Sequence, residues 1–183
     1  MKSEKIALIV LGAPGSGKGT QGKFLEEKTG FKKYVMSDLI RTFVKEGSEI
    51  FDKMKKGRLL NDLDIFQIFK KGFKFEEEVI LDGIPRSVDQ AYWFYGFFKI
   101  HGYNIKVIYL EVNEERLIDR ILKRAKLENR IDDNKEVFIN RMKEYNNAKN
   151  IVLDVFSDEI IKINGDGSIE NISKDILNKL NLN

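Results

Sequence analysis

Leu11-Gly12-Ala13-Pro14-Gly15-Ser16-Gly17-Lys18-Gly19-Thr20 is the stretch on which the fold of this chain turns. It follows the apolar run IALIVL (Ile6 to Leu11) and leads into a helical candidate from Lys18 to Lys28, so the order is strand, glycine-rich turn, helix. The spacing fits G-x-x-x-x-G-K. Glycines at 12, 15 and 17 let the backbone curl so that successive N–H groups point inward, and the helix opening near Lys18 adds the positive end of its dipole. Together they make a cradle for a triphosphate, with Lys18 reaching the β and γ oxygens. Gly12, Gly15, Ser16, Gly17, Lys18, Gly19 and Thr20 are accordingly expected to hold the phosphates of a nucleoside triphosphate. After the lysine the pattern asks for Ser or Thr, whose hydroxyl meets magnesium. Gly19 stands there instead, which displaces the hydroxyl to Thr20 or removes it. A tight structural turn is the alternative, and the strand before and helix after weigh against it.

Outward from this junction, short apolar runs alternate with longer helical stretches. The runs VILD (Val79 to Asp82), IKVIYLEV (Ile105 to Val112) and IIKIN (Ile160 to Asn164) resemble the first in being continuous, as suits strands buried on both faces. Helical candidates cover 38–46, 62–71, 88–99, 114–125, 135–156 and 169–180. The alternation predicts an α/β fold, a doubly wound parallel sheet of about five strands of the P-loop NTPase type, in one domain over 1–183. Two stretches interrupt it. Between the first helix and VILD, some fifty residues hold two or three helices and at most a short strand YVM, which predicts a helical insertion at 36–65. Residues 123–133 are polar without apolar periodicity and predict a short exposed loop. The helix from Asp89 to Phe98 carries six aromatic residues and is expected to lie largely buried against the sheet.

The chain of 183 residues is long enough for one sizeable core, and 42% hydrophobic with 33% charged residues describe a globular chain rather than a disordered or fibrous one. It has no cysteine and a single histidine, His101, placed in a turn. That excludes disulfides, a nucleophilic thiol, structural zinc and a Ser/His/Asp triad. The start superficially matches a secretory leader, but its apolar run continues into the glycine loop. No apolar stretch approaches the length of about 20 residues a membrane span needs. A cytoplasmic monomer without nucleic-acid or membrane partners is therefore expected. Lys and Arg total 32 against 29 acids, a net charge of only +3, yet just eight of the basic residues are arginines. Where lysine covers the surface, the few planar guanidinium groups are worth tracking, because they bind phosphate bidentately.

Asp82 ends the run VILD, where a carboxylate at a strand's C-terminal end could hold a magnesium ion or its waters beside the phosphate cradle. Arg120 and Arg124 lie four apart on one helical face, Arg130 follows across the polar loop and Arg141 lies on the next helix. Each could be a solvated surface cation. Their clustering around the loop predicts a clamp on phosphoryl oxygens, since phosphoryl transfer asks a protein mainly for positioning and charge neutralisation.

Beside the glycine loop, three further segments carry a resemblance. Leu81-Asp82-Gly83-Ile84-Pro85-Arg86-Ser87 with Gln90-Ala91, Asp38-Leu39-Ile40-Arg41, and Arg130-Ile131-Asp132-Asp133 with Arg141 are similar to adenylate kinases and related nucleoside monophosphate kinases, in order from Ile6 to about Gly165. The resemblance implies that 36–65 binds a monophosphate acceptor and that 123–133 is a lid of the short form. It implies that Lys18 bridges donor and acceptor phosphates, that Arg41 and Arg86 hold the acceptor phosphate, and that Arg120 stacks on the donor adenine. By the same likeness Arg124 binds the donor phosphates, while Arg130 and Arg141 contact the transferring group. Asp132 and Asp133 would accept from arginines on closure, or simply solubilise the loop. Met36, Ser37, Leu60, Gly83 and Gln90 fall at acceptor-binding positions. The family usually has Thr-Gly where this chain has Met36-Ser37, whereas Gln90 matches a glutamine that reads adenine. The expected activity is reversible phosphoryl transfer from Mg-ATP to a nucleoside monophosphate, AMP first, with UMP or CMP as alternative acceptors and a non-catalytic nucleotide-binding regulator as the rival outside the class.

Overall fold

The computed structural model describes residues 5–51, 60–76, 78–128 and 135–182, with backbone alone for 124–128 and 135–137. Five parallel strands form one sheet: β1 (Lys5–Gly12), β2 (Lys32–Val35), β3 (Glu78–Asp82), β4 (Tyr103–Glu111) and β5 (Ile160–Asn164), in the order β2-β3-β1-β4-β5. Seven helices are described: α1 (Lys18–Thr29), α2 (Met36–Phe43), α3 (Asp62–Gly72), α4 (Val88–Ile100), α5 (Glu114–Glu128), α6 (Lys135–Val155) and α7 (Ile169–Leu180). The doubly wound parallel sheet expected from the alternation of runs is what forms.

Period-two burial explains the layers. Ala7, Ile9 and Leu11 of β1 join the core beneath α3 and α4, with Phe69, Phe94 and Phe98, while Leu8 and Val10 face the other way onto Leu25 of α1 and Ile172 and Ile176 of α7. A third cluster, Ala13 with Leu117, Ile121, Phe138 and Met142, lies between α5 and α6 and carries the start of the glycine loop. Each fully buried aliphatic or aromatic side chain here contributes about 1.5–3 kcal/mol by leaving water.

Register places the strand ends that matter together. Val10 and Val35 both lie opposite Asp82, and Gly12 lies opposite Leu110. Strand order reverses at β1, since β3 is on one side and β4 on the other, which opens a crevice beyond the carboxyl ends of the strands.

Three details differ from the sequence reading. Met36 opens α2 rather than ending a strand, so β2 is KKYV, anchored by the Tyr34 hydroxyl accepting from Lys74 N–H at 2.9 Å and bonding the Glu76 carboxylate at 2.7 Å. β5 is an edge strand with Lys162 and Asn164 exposed, so it is not buried on both faces. The aromatic helix α4 buries Phe94 and Phe98 but leaves Tyr92 61% exposed. Phe66, Trp93 and Phe97 stack in a row, at 4.4 and 4.9 Å between centroids, along an open groove. The period of 3.6 gives that helix one sheet-facing side only.

Candidate active site

The glycine loop is built by conformations that side chains resist. Gly12, Gly15 and Gly17 have φ of 150°, 84° and 96°. At Gly12 the crowding is steric as well, since a Cβ would lie 2.6 Å from Ser16 Oγ and 2.9 Å from the Leu110 carbonyl oxygen. The turn closes through Ser16 N–H donating to the Ala13 carbonyl at 3.0 Å. The Ser16 hydroxyl is buried without a hydrogen-bond partner among the described residues. Lys18 folds back over the loop, its ammonium 2.7 Å from the Gly12 carbonyl and 2.8 Å from that of Ala13. Gly17 caps α1 with no side-chain acceptor, and the first turn of α1 holds no acid. Its leading N–H groups and dipole end are thus left for an anion.

Asp82, only 8% exposed, faces that first turn. Its Oδ2 is 3.5 Å from where a Cβ of Gly19 would be. Burial pushes its carboxyl above the usual range, and the Lys18, Lys33 and Arg86 charges pull the other way. A buried carboxylate beside a phosphate cradle fits magnesium, a hard cation that takes oxygen ligands and usually keeps waters and substrate phosphates in its shell. Gly19 supplies no hydroxyl and Thr20 is exposed. Among the described residues no cluster of three or more His, Cys, Asp or Glu could hold a metal by itself.

Arg120 flanks the loop from α5, donating to the Ser16 carbonyl at 3.4 Å and the Gly165 carbonyl at 2.8 Å. Gly165 is held in turn by its N–H on the Glu111 carbonyl at 2.7 Å. Arg116, which carried no assignment from sequence, donates to the Asp166 carbonyl at 2.9 Å.

Gly83, the next residue after Asp82, lines a cavity of about 110 Å³. Met36, Ser37, Gly83, Arg86 and Gln90, all expected at the acceptor, line it together with Ile40, Ile65 and Ile84. Arg86 donates through Nε to the Gly83 carbonyl at 2.7 Å, and its backbone N–H donates to Gln90 Oε1 at 2.8 Å. Crowding by surrounding protein, with the Arg141 charge second, lowers the Arg86 guanidinium from arginine's ordinary value. It remains a cation. Arg141 is thus near enough for its charge to act at Arg86.

Other expected residues stand apart. Arg41 pairs with Asp38 one turn earlier on α2 and does not line the cavity. Leu60 packs against the main core. Arg130, Asp132 and Asp133 lie outside the described residues, as does the side chain of Arg124, and with them most of the expected lid. The expected insertion is described except at 52–59.

The polar residue at this site that was not read from sequence is Asp62, and the apolar Ile65 was missed with it. Asp62, the first residue of α3, accepts from Gln90 Nε2 at 2.7 Å and from the Ser87 hydroxyl at 2.9 Å. Its only sequence signal is a carboxylate at a helix start, which capping explains as well. Among the described residues no helix is long and apolar enough to cross a membrane.

A family model described as adenylate kinase matches residues 10–161. The chain is 36% identical over 179 residues to an adenylate kinase of Bacteroides fragilis, covering 92% of this chain and 95% of the relative. It is 38% identical over 144 residues to that of Thermus thermophilus, 76% of each chain. It is 35% identical over 183 residues to that of Leptospira biflexa, covering 94% and 98%.

Proposed function

The chain belongs to the adenylate kinase family and is a phosphotransferase, and from that premise we propose that it moves a phosphoryl group reversibly between Mg-ATP and a nucleoside monophosphate, with AMP as the preferred acceptor. The observation that carries the reading is convergence on Asp82. The phosphate cradle lies on its α1 side, and the cavity holding Gly83, Arg86 and Gln90 begins one residue beyond it.

In this reading the N–H groups of Gly12 and of 15–20 hold the donor phosphates, and Lys18 leaves the Gly12 and Ala13 carbonyls to span the donor and acceptor phosphates. Arg86 and Arg41 hold the acceptor phosphate, the latter after parting from Asp38. Magnesium, bound through Asp82 or its waters, would neutralise charge developing on the bridging oxygens. Met36 packs against the base face through its thioether, and Gln90 supplies the directional bonds. Arg120 lies at the donor base and Arg124 at the donor phosphates, while Arg130, within a lid at 123–133, and Arg141, on the helix that follows it, contact the transferring group. The segment 36–65 is the acceptor-binding insertion. Transfer is direct and in line, because no Cys or His nucleophile stands in the site. Closure excludes water, which would otherwise take the phosphoryl group. The enzyme acts as a cytoplasmic monomer.

A coupled assay supplying ATP with AMP, UMP, CMP, GMP or IMP tests this. AMP should give the highest kcat/KM. Hydrolysis of ATP without transfer to any acceptor, or preference for a pyrimidine monophosphate, would overturn it.

A further inference from the structure

A glutamine carboxamide presents a donor and an acceptor of nearly equal size, so its shape does not say which end faces a ligand. Its neighbours decide. Gln90 has two that each play a single role. An ionised carboxylate only accepts, and Asp62 Oδ1 lies 2.7 Å from Nε2. A backbone N–H only donates, and that of Arg86 meets Oε1 at 2.8 Å. Reversing the amide would set oxygen against carboxylate and NH₂ against N–H at the same time. With Gln90 only 6% exposed, water is poorly placed to relieve either conflict.

Asp62 is itself held in place. Its second oxygen accepts from Ser87 Oγ at 2.9 Å, and that hydroxyl oxygen accepts from Gln90 N–H at 3.1 Å, closing a ring of Asp62, Ser87 and Gln90. Its backbone is set by the capping box at the start of α3, where Asn61 and Asp64 exchange side-chain and backbone bonds.

Each end of the Gln90 amide then has one valence left, a second Nε2 hydrogen and a second Oε1 lone pair. An adjacent donor and acceptor complement the adenine edge, whose N1 accepts and whose 6-amino group donates. A 6-oxopurine offers the same two positions with the roles exchanged, O6 accepting and N1–H donating. It would need the reversed amide.

We propose that Asp62 is the positioning residue that fixes the polarity of the Gln90 carboxamide and thereby makes the acceptor pocket select a 6-aminopurine over a 6-oxopurine monophosphate. The inference rests on Gln90 facing the acceptor base. Asp62 acts only through Gln90 and touches no reacting atom.

The test measures kcat and KM for AMP and for IMP, at saturating ATP, in the wild type, Asp62→Ala, Asp62→Asn, Gln90→Ala and the Asp62→Ala/Gln90→Ala double variant. In Asp62→Ala the AMP-to-IMP ratio of kcat/KM should fall roughly ten- to a hundredfold, the worth of a misaligned bidentate base contact. The fall should come chiefly from KM for AMP. Asp62→Asn, which still offers one acceptor oxygen, should retain more of the ratio. In the Gln90→Ala background, Asp62→Ala should leave the ratio unchanged even though melting temperature drops in both backgrounds. A merely structural clip between α3 and α4 would lower activity toward both acceptors alike, or shift the ratio with Gln90 absent, and either result overturns the proposal. Should Asp62→Ala fail to fold by circular dichroism, Asp62→Asn with and without Gln90→Ala carries the same comparison, and an unchanged ratio in Asp62→Asn overturns it. If Gln90→Ala alone leaves the ratio intact, the base-reading assignment of Gln90 fails and this inference with it. If Gln90→Ala collapses the ratio and Asp62→Ala does not, only the inference fails.

Discussion

Arg86→Ala separates catalysis from stability more cleanly than any other change at this site. Without nucleotide, the Arg86 side chain makes one hydrogen bond among the described residues, Nε to the Gly83 carbonyl at 2.7 Å, and lies within the influence of the Arg141 charge. Losing that bond costs about 1 kcal/mol, and removing a cation beside another cation offsets part of it. For a chain of 183 residues, about 1 kcal/mol moves the melting temperature by roughly 2–4 °C. Turnover should respond on another scale. A fixed cationic donor aimed at charge that grows in the transition state is worth about 2.7–4 kcal/mol, so kcat should drop by at least about a hundredfold. Arg86→Lys keeps a charge but loses the planar fork, and should fall between the two. The measurements are a coupled assay at saturating ATP and AMP and a thermal melt without nucleotide. A kcat within tenfold of wild type would refute the assignment of Arg86 to the acceptor phosphate. A melting temperature lowered by more than about 10 °C would refute the ledger of its contacts.

Asp82→Asn should stabilise the nucleotide-free protein at neutral pH while reducing turnover sharply. Because the folded-state pKa of Asp82 is raised above its unfolded value, its ionised form costs stability at every pH above the folded pKa, and the cost fades as pH falls from that value to the ordinary one. Melting curves across pH should show the advantage of the variant shrinking toward acid, and an advantage that grows there would contradict the direction of the shift. Gly12→Ala should lower the melting temperature by at least about 5 °C, since strain of about 1–3 kcal/mol at φ of 150° adds to a clash with the Leu110 carbonyl. Gly17→Ala is its control, with strain at φ of 96° but nothing within 4 Å of the new carbon. Equal losses in the two would show that the approach to Leu110 is unimportant.

What was legible in the sequence follows the range of the interactions that specify it. β1 and the glycine loop are local, a run of apolar residues followed by residues that permit positive φ, and the chain spells both without help from elsewhere. β5 was legible in its limits, Ile160 to Asn164, but not in its exposure, because being an edge strand depends on sheet order. β2 was nearly hidden: two lysines in four residues make a poor strand signal, and Tyr34 secures it through Lys74 and Glu76, some forty positions away. Asp62 was invisible as part of the acceptor site for the same reason. Its bonds to Ser87 and Gln90 cross more than twenty residues and exist only because the starts of α3 and α4 meet. Arg41 was placed at the acceptor phosphate by likeness, and here its side chain is held by Asp38 on its own helix.

The site also shows itself by the local rules it breaks. α3, α4 and α7 begin with side-chain caps from Asn61, Ser87 and Ser168, whereas α1 and α2 begin with none. A missing cap costs about 1 kcal/mol, and of these five starts the two without a side-chain cap are those that carry the glycine loop and the Met36-Ser37 wall. The same small region holds a buried hydroxyl without a partner among the described residues at Ser16, a buried carboxylate with a raised pKa at Asp82, and a lysine whose ammonium rests on loop carbonyls. The unpaired hydroxyl and the buried carboxylate cost the empty protein stability, and the Lys18 bonds hold the ammonium over a loop that has no other use for it. Each is relieved or used when an anion sits at the start of α1 with a cation beside Asp82, because the exposed N–H groups and Lys18 then have phosphate oxygens and the carboxylate has a counter-ion. Departures from local consistency that share one remedy mark a binding site by physical argument alone, and here they fall on the residues that the G-x-x-x-x-G-K spacing selects and on Asp82 beside them.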